Sequence, residues 1–258
     1  MLAVERRNQI IEQVRAQSRV LVSELATRYS VTEETIRRDL EKLEREGYVQ
    51  RSYGGAVSCD SGKKELSNSL RRRKNAQAKE QMAQIISTLV EDGDHLLLDD
   101  SSTAFYAARA LLTARKQQIT IITNSIDILV ELGGVQGIQV ISTGGFLEKD
   151  GGGLMGCRAE EMVRAYYVDR AIISCKSLDI SRGFTNATDE SAQIKRTMME
   201  NAREVILAAD SSKWGQVAFA QIGALNQVNT LVTEKDPGAE WREALTRHGV
   251  TCLYSSDS

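Results

Sequence analysis

No run of apolar residues in this chain approaches the roughly 18 needed to cross a bilayer. The polar, arginine-bearing N-terminus is followed by neither an apolar stretch nor a cleavage site. The expectation is therefore a cytoplasmic protein with no membrane partner. Histidine is almost missing: His95 and His248 are the only two, and neither has a partner at ligand spacing. The four cysteines, Cys59, Cys157, Cys175 and Cys252, lie far apart with no C-x-x-C pair, which speaks against both a zinc site and a disulfide framework. No metal and no cofactor are expected.

What remains is an ordinary globular composition with an uneven charge. The 258 residues are 41% hydrophobic and have room for one large or two modest domains. Net charge is −2, but residues 1–80 carry 17 Lys and Arg against 12 Asp and Glu, whereas residues 81–258 carry 16 against 23. A basic N-terminal third joined to an acidic remainder fits a head that anchors on nucleic-acid phosphates and a body that does not.

The stretch Val31 to Leu43, VTEETIRRDLEKL, carries the strongest pattern in that head. At 100° per residue, Ile36, Leu40 and Leu43 fall on one stripe of a helix, while Glu34, Arg37, Arg38, Glu41 and Arg45 fall on the other. Thr32 is placed to cap the first turn, and Gly47 follows the last as a C′ residue. Val22 to Tyr29 forms a second short helix, separated from Thr32 only by Ser30 and Val31, so the two make a helix-turn-helix. Val4 to Gln17, with Val4, Ile10, Ile11 and Val14 at helical spacing, supplies the helix they pack against. Tyr48 to Arg51, then the glycine pair Gly54–Gly55 and Ala56–Val57, predict a β-hairpin wing.

TIRRDLEKLEREGYVQRSYGGAV resembles the winged helix-turn-helix of the DeoR-type bacterial transcriptional regulators, whose pattern is a T-I-R-R-D-L helix followed by a glycine pair in the wing. The expected partner is double-stranded operator DNA. Glu34, Thr35, Arg37 and Arg38 would face the major groove, where arginine pairs with guanine and glutamate accepts from cytosine N4, with Thr32 at the start of the same DNA-binding helix. Arg45, Arg51, Ser52 and Tyr53 would hold backbone phosphates. One head reads too short a site, so a homo-oligomer on repeated half-sites is expected.

The domain reading is residues 1–57 for the winged head, 58–75 for a linker ending in the basic run Arg71–Lys74, and 76–258 for an α/β domain. In that domain short apolar runs (His95–Leu98, Thr120–Ile122, Gln139–Ile141, Ala171–Ser174, Val205–Leu207, Leu231–Thr233) alternate with helical patterns, which predicts a mainly parallel sheet. Ligands bind such sheets at the carboxyl ends of the strands. Those positions hold Asp99–Asp100–Ser101–Ser102–Thr103, Thr123–Asn124–Ser125 and Ser142–Thr143–Gly144–Gly145. Small hydroxyl, amide and glycine residues there suit either a phosphate cradle at helix N-termini or plain capping and turn chemistry.

The loops LLDDSST, ITNS and ISTGG, with AADSSKWG further on, resemble the sensor domain of the same family, which is similar in fold to ribose-5-phosphate isomerase and takes a phosphorylated sugar or related metabolite as effector. The resemblance implies an effector site of Asp99, Ser101, Ser102, Thr103, Thr123, Asn124, Gly144, Gly145 and Lys213, with Lys176 as a further charge contact. Ser101 stands where the family pattern D-x-G-S-T has glycine, and its Cβ is expected to crowd a loop that favours positive φ. Lys176 stands where related isomerases carry an acidic cluster, so no catalytic residue is assigned and no turnover is expected. Within the family, the serine-for-glycine loop, ISTGG and SCKSLD look most like the branch that regulates L-fucose utilisation. The function read from the sequence is thus a DNA-binding regulator of a carbohydrate-utilisation operon. The alternative is a sugar-phosphate enzyme with an accessory DNA-binding domain.

Overall fold

The computed structural model describes residues 3–17, 19–45, 48–58, 68–148 and 152–255. The chain divides into two compact units, Met1–Asn75 and Ala76–Ser258.

The first unit runs α1 (Ala3–Gln17), β1 (Arg19–Leu21), α2 (Val22–Tyr29), α3 (Glu33–Arg45), β2 (Val49–Ser52), β3 (Gly55–Ser58) and α4 (Asn68–Arg73). Ile10, Val14, Leu25, Ile36, Leu40, Leu43 and Val49 form its buried core. The stripe read from helical periodicity is therefore the one that packs. Ser30 ends α2 in the left-handed region (φ 52°), and the Val31 amide donates to the Ala26 carbonyl at 3.1 Å. That tight reversal lets α2 and α3 share one core through Leu25, Ile36 and Leu40. Thr32 caps α3 as expected, its Oγ1 accepting from the Thr35 amide at 3.3 Å. Gly47 and Cys59, and with Cys59 much of the linker, lie outside the described residues.

The wing is a three-stranded antiparallel sheet in the order β1-β3-β2, one strand more than the hairpin expected. Its two glycines are needed for different reasons. Gly54 turns the hairpin at φ +78°, whereas a Cβ on Gly55 would stand 2.0 Å from the Val20 carbonyl oxygen where β1 pairs.

The second unit runs α5 (Ala76–Leu89), β4 (His95–Leu98), α6 (Ser102–Thr113), β5 (Ile119–Thr123), α7 (Ile126–Leu132), β6 (Ile138–Ser142), β7 (Phe146–Leu147), β8 (Leu154–Met155) and α8 (Cys157–Arg164). It continues with β9 (Val168–Ser174), β10 (Ser177–Asp179), β11 (Gly183–Asn186), α9 (Asp189–Glu200), β12 (Ala202–Ala208), β13 (Ala220–Gly223), β14 (Thr230–Thr233), α10 (Ala239–Arg247) and β15 (Thr251–Tyr254). Seven strands make one sheet, β15-β14-β12-β9-β4-β5-β6, with every neighbouring pair parallel. Side chains alternate between two cores: Ala171 and Ile173 of β9 enter the one beneath α8, α9 and α10, and Ile172 enters the one beneath α5, α6 and α7.

The strand order reverses between β4 and β9. From β4 the chain moves outward through β5 and β6, then returns to the other side of β4 and moves outward through β12, β14 and β15. The loops that follow β4 and β9 at the carboxyl edge flank this reversal, the position at which open α/β sheets bind their ligands. β7 with β8, and β10-β11-β13, form small additional sheets. Their strands are short or polar, and no hydrophobic run marks them in the sequence.

Candidate functional site

In the first unit, α3 and the wing tip present one charged, exposed surface. Glu33, Glu34, Arg37, Arg38 and Arg45 of α3 and Arg51, Ser52 and Tyr53 of the wing are all exposed, and Thr35 is half-buried beside them. The helix and the wing are joined, since the Glu44 carboxylate accepts from the Arg51 amide at 2.8 Å. The arginines already have partners: Arg37 donates to Glu33 at 2.9 Å and Arg38 to Glu34 at 3.2 Å. One residue of the TIRRDL stretch was missed by the sequence reading. Asp39 is buried and accepts from Arg6 Nε of α1 at 2.6 Å, with Arg7 at 3.6 Å. The signal was present, because an acid next to Leu40 lies close to the apolar stripe and needs a buried cation.

In the second unit, polar residues are buried together at the carboxyl edge around the β4/β9 reversal. Asp99 at the end of β4 is fully enclosed; its carboxylate accepts from the Ser174 amide at 2.8 Å, the Ser101 amide at 2.9 Å and the Lys195 ammonium. Burial alone would raise the Asp99 pKa, but the charge and hydrogen bond of Lys195 and the Ser174 amide outweigh it and hold the carboxyl below its ordinary value. Lys195 also lies 3.5 Å from Asp100. Two adjacent buried carboxylates thus share one buried ammonium.

Ser174 at the end of β9 links this pair to the next strand. Its Oγ donates to the Ala208 carbonyl at 2.6 Å and accepts from Lys213 Nζ at 2.7 Å. Lys213 ends a 3-10 turn, Ser211–Lys213, whose first amide donates to Glu234 at the end of β14 at 2.9 Å. Cys175 lies beside the cluster, and burial pushes its thiol up to about 11, so at neutral pH it is protonated.

Thr123 Oγ1 donates to the Leu98 carbonyl at 2.7 Å and accepts from the Ser125 amide at 3.1 Å, tying the ends of β4 and β5 together. Asn124 Nδ2 donates to the Leu154 carbonyl at 3.2 Å. Asn124 Oδ1 and Thr103 Oγ1 are buried and have no hydrogen-bond partner among the described residues. Ser102 is also buried; Gly144 and Gly145 are exposed, at φ +64° and +107°, and lead into β7. Lys176 is half-buried at the head of the β10–β11 hairpin, and among the described residues its ammonium makes no ion pair.

The structure thus gathers Asp99, Ser101, Ser102, Thr103, Thr123, Asn124 and Lys213 at the ends of β4, β5 and β12, around Ser174 at the end of β9. Gly144 and Gly145 lie one strand further out. Asp100, Ser174 and Asp210 were not assigned to the site from the sequence, and Lys195 of α9 joins them there. One expectation is corrected. Ser101 does not strain its loop: it sits at φ −70°, ψ 148° as the N-cap of α6, with its Oγ accepting from the Ala104 amide at 3.0 Å. A cap requires negative φ and a short hydroxyl, so serine suits the position better than glycine.

A winged head with an exposed arginine-bearing helix, joined to an α/β unit with a buried polar cluster at its sheet edge, is the construction of a transcriptional regulator. The DeoR-like helix-turn-helix domain matches residues 6–62 and the DeoR C terminal sensor domain matches residues 74–235, so the chain belongs to the DeoR family. It is 41% identical over 241 residues to the HTH-type transcriptional regulator YulB of Bacillus subtilis (strain 168), covering 93% of this chain and 92% of that one. It is 33% identical over 255 residues to the HTH-type transcriptional repressor GlcR of the same organism, covering 99% and 97%. It is 29% identical over 252 residues to the glycerol-3-phosphate regulon repressor of Escherichia coli (strain K12), covering 97% and 98%. Among solved structures, ribose 5-phosphate isomerase A from Methanocaldococcus jannaschii aligns with a TM-score of 0.41 at 18% identity, over 55% of each chain. Among the described residues no helix is long and apolar enough to cross a membrane.

Proposed function

We propose that this DeoR-family regulator controls a carbohydrate-utilisation operon by binding operator DNA as a homo-oligomer, and that a phosphorylated sugar at the carboxyl edge of the β4/β9 sheet sets its DNA affinity. The observation that carries the effector reading is the cluster of buried polar groups at the strand-order reversal. Among the described residues Thr103 Oγ1 and Asn124 Oδ1 are enclosed there without partners, and buried polar atoms are ordinarily paired. A donor-rich and acceptor-rich ligand would satisfy them. Of the two lysines, Lys195 is neutralised by Asp99, whereas Lys213 bonds a neutral hydroxyl and has its nearest carboxylate, Asp210, at 3.8 Å. Lys213 is the better phosphate contact.

On the DNA side, the reading assigns base contacts to Thr35, Arg37 and Arg38 and phosphate contacts to Arg45, Arg51, Ser52 and Tyr53, acting in the cytoplasm. For the pathway, Asp99–Thr103, ISTGG and SCKSLD support the L-fucose-utilisation branch. One repressor among the relatives is named for a different system, the glycerol-3-phosphate regulon.

A thermal-shift screen over phosphorylated sugars, those derived from L-fucose included, tests the effector. A ligand at 100 times its Kd should add about 2.7 kcal/mol, and Lys213→Ala should abolish the shift without lowering the melting temperature of the free protein by more than a degree or two. Sustained turnover of a sugar phosphate would overturn the reading in favour of an enzyme.

A further inference from the structure

We propose that Glu33 and Glu34 set the specificity of the head by neutralising, in the free protein, the groups on α3 that would otherwise bind any phosphate. The inference rests on the reading that the exposed face of α3 meets DNA. That face has two unspecific attractions for a phosphodiester: the positive end of the helix dipole and the charges of Arg37 and Arg38. Both are answered by the same two carboxylates. Glu33 and Glu34 occupy the first turn of α3, and one turn on they pair with Arg37 at 2.9 Å and Arg38 at 3.2 Å.

Preference for acids at a helix start accounts for Glu33 and Glu34 alone. It does not account for Arg37 and Arg38, the two arginines one turn on, both being held by them. Nor are these pairs buried structural braces, since the side chains are 50% exposed or more in all four residues. The one acid of α3 that packs is Asp39, which is paired with α1 instead. Glu33 and Glu34 are therefore free to exchange partners on contact with DNA.

The exchange favours one kind of target. A lone phosphate offers an arginine little that its glutamate does not, and it repels the glutamate. Guanine offers N7 and O6 together, which the planar guanidinium can bridge. Arg38 is held through Nε, and its Nη pair, the end that would bridge guanine, is not used in that bond. The arginines thus leave their glutamates only where the base edge repays it. Glu34 acts as a competitor for Arg38, in place of the cytosine contact expected from sequence.

The test uses the full chain and two probes: a random-sequence DNA duplex, and a duplex recovered from a random pool by repeated selection with this protein. Anisotropy titrations over a salt series compare wild type with Glu33→Gln, Glu34→Gln and Arg38→Ala, with circular dichroism as the check on helix content. Glutamine keeps the length and removes the charge. Each Glu→Gln change should tighten the random duplex roughly two- to five-fold and steepen the plot of log K against log salt by up to about one. The ratio of selected to random affinity should fall. Unchanged random-duplex affinity and slope in both variants, with Arg38→Ala weakening the selected duplex, would overturn the inference alone. If Glu34→Gln loses selected-duplex affinity and leaves the random duplex untouched, Glu34 reads a base and the proposal fails for it. No effect of Arg38→Ala on either probe would overturn both the inference and the placement of the DNA surface.

Discussion

Lys195 donates a hydrogen bond to Asp99 across 96 residues of sequence, and both side chains are closed to solvent. The pair fastens the middle of α9 to the loop that leaves β4, and it fixes one wall of the proposed effector cluster. Removing one partner leaves the other charged and buried. Lys195→Met should therefore cost about 3–5 kcal/mol in urea unfolding, and the double variant Asp99→Asn/Lys195→Met should cost clearly less. Equal losses in the single and the double variant would show that the pair is not the source.

The same pair sets an acid limit. The folded Asp99 carboxyl titrates below its unfolded value, which is about 3.9. Its contribution is therefore present above that pH and is lost as pH falls through the lower folded value. Wild-type stability should drop on acidification below about pH 4, and Asp99→Asn/Lys195→Met should show a shallower drop over the same range in a pH series of melting temperatures.

Asp39 plays a similar part in the head, where Arg6 and Arg7 of α1 both approach it. Asp39→Ala strands a buried guanidinium and should destabilise the head by about 3 kcal/mol or more. It should weaken operator binding at 37 °C more than at 10 °C, because the recognition surface itself is untouched.

The glycine pair of the wing gives two different expectations. A Cβ at Gly55 meets the Val20 carbonyl at 2.0 Å, so Gly55→Ala should break the β1–β3 pairing and cost about 1–3 kcal/mol. Gly54 has open space around it and only its positive φ to lose, so Gly54→Ala should cost about 1–2 kcal/mol. Gly55→Ala should also displace the wing and reduce DNA affinity, which titration against the selected duplex would register.

Ser101 provides a check on the cap of α6. Ser101→Ala should lose about 1 kcal/mol, and Ser101→Gly, the residue of the family pattern, only a few tenths. A gain in stability for glycine would mean that the loop is strained after all.

The parts of this protein that the sequence determined by itself are those governed by local periodicity and punctuation. The stripe Ile36–Leu40–Leu43, the Thr32 cap, the glycine-bearing wing and the alternation of short strands with helices depend on residues within a turn or two of each other, and each lies close to where it was read. The family motifs are likewise contiguous stretches. The partners of Asp39 and Asp99 depend on the tertiary fold, since they come from 33 and 96 residues away, and no spacing rule reaches that far. Strand order is decided at the same level: which loops flank the β4/β9 reversal follows from sheet pairing, and that put Ser174 and Lys195 beside Asp99, Thr123 and Lys213, the loop residues read from the sequence. Ser101 marks the boundary between the two. Its identity suggested strain, but φ is set by the helix it caps, and the hydroxyl that was expected to crowd the loop is spent on the amide of Ala104.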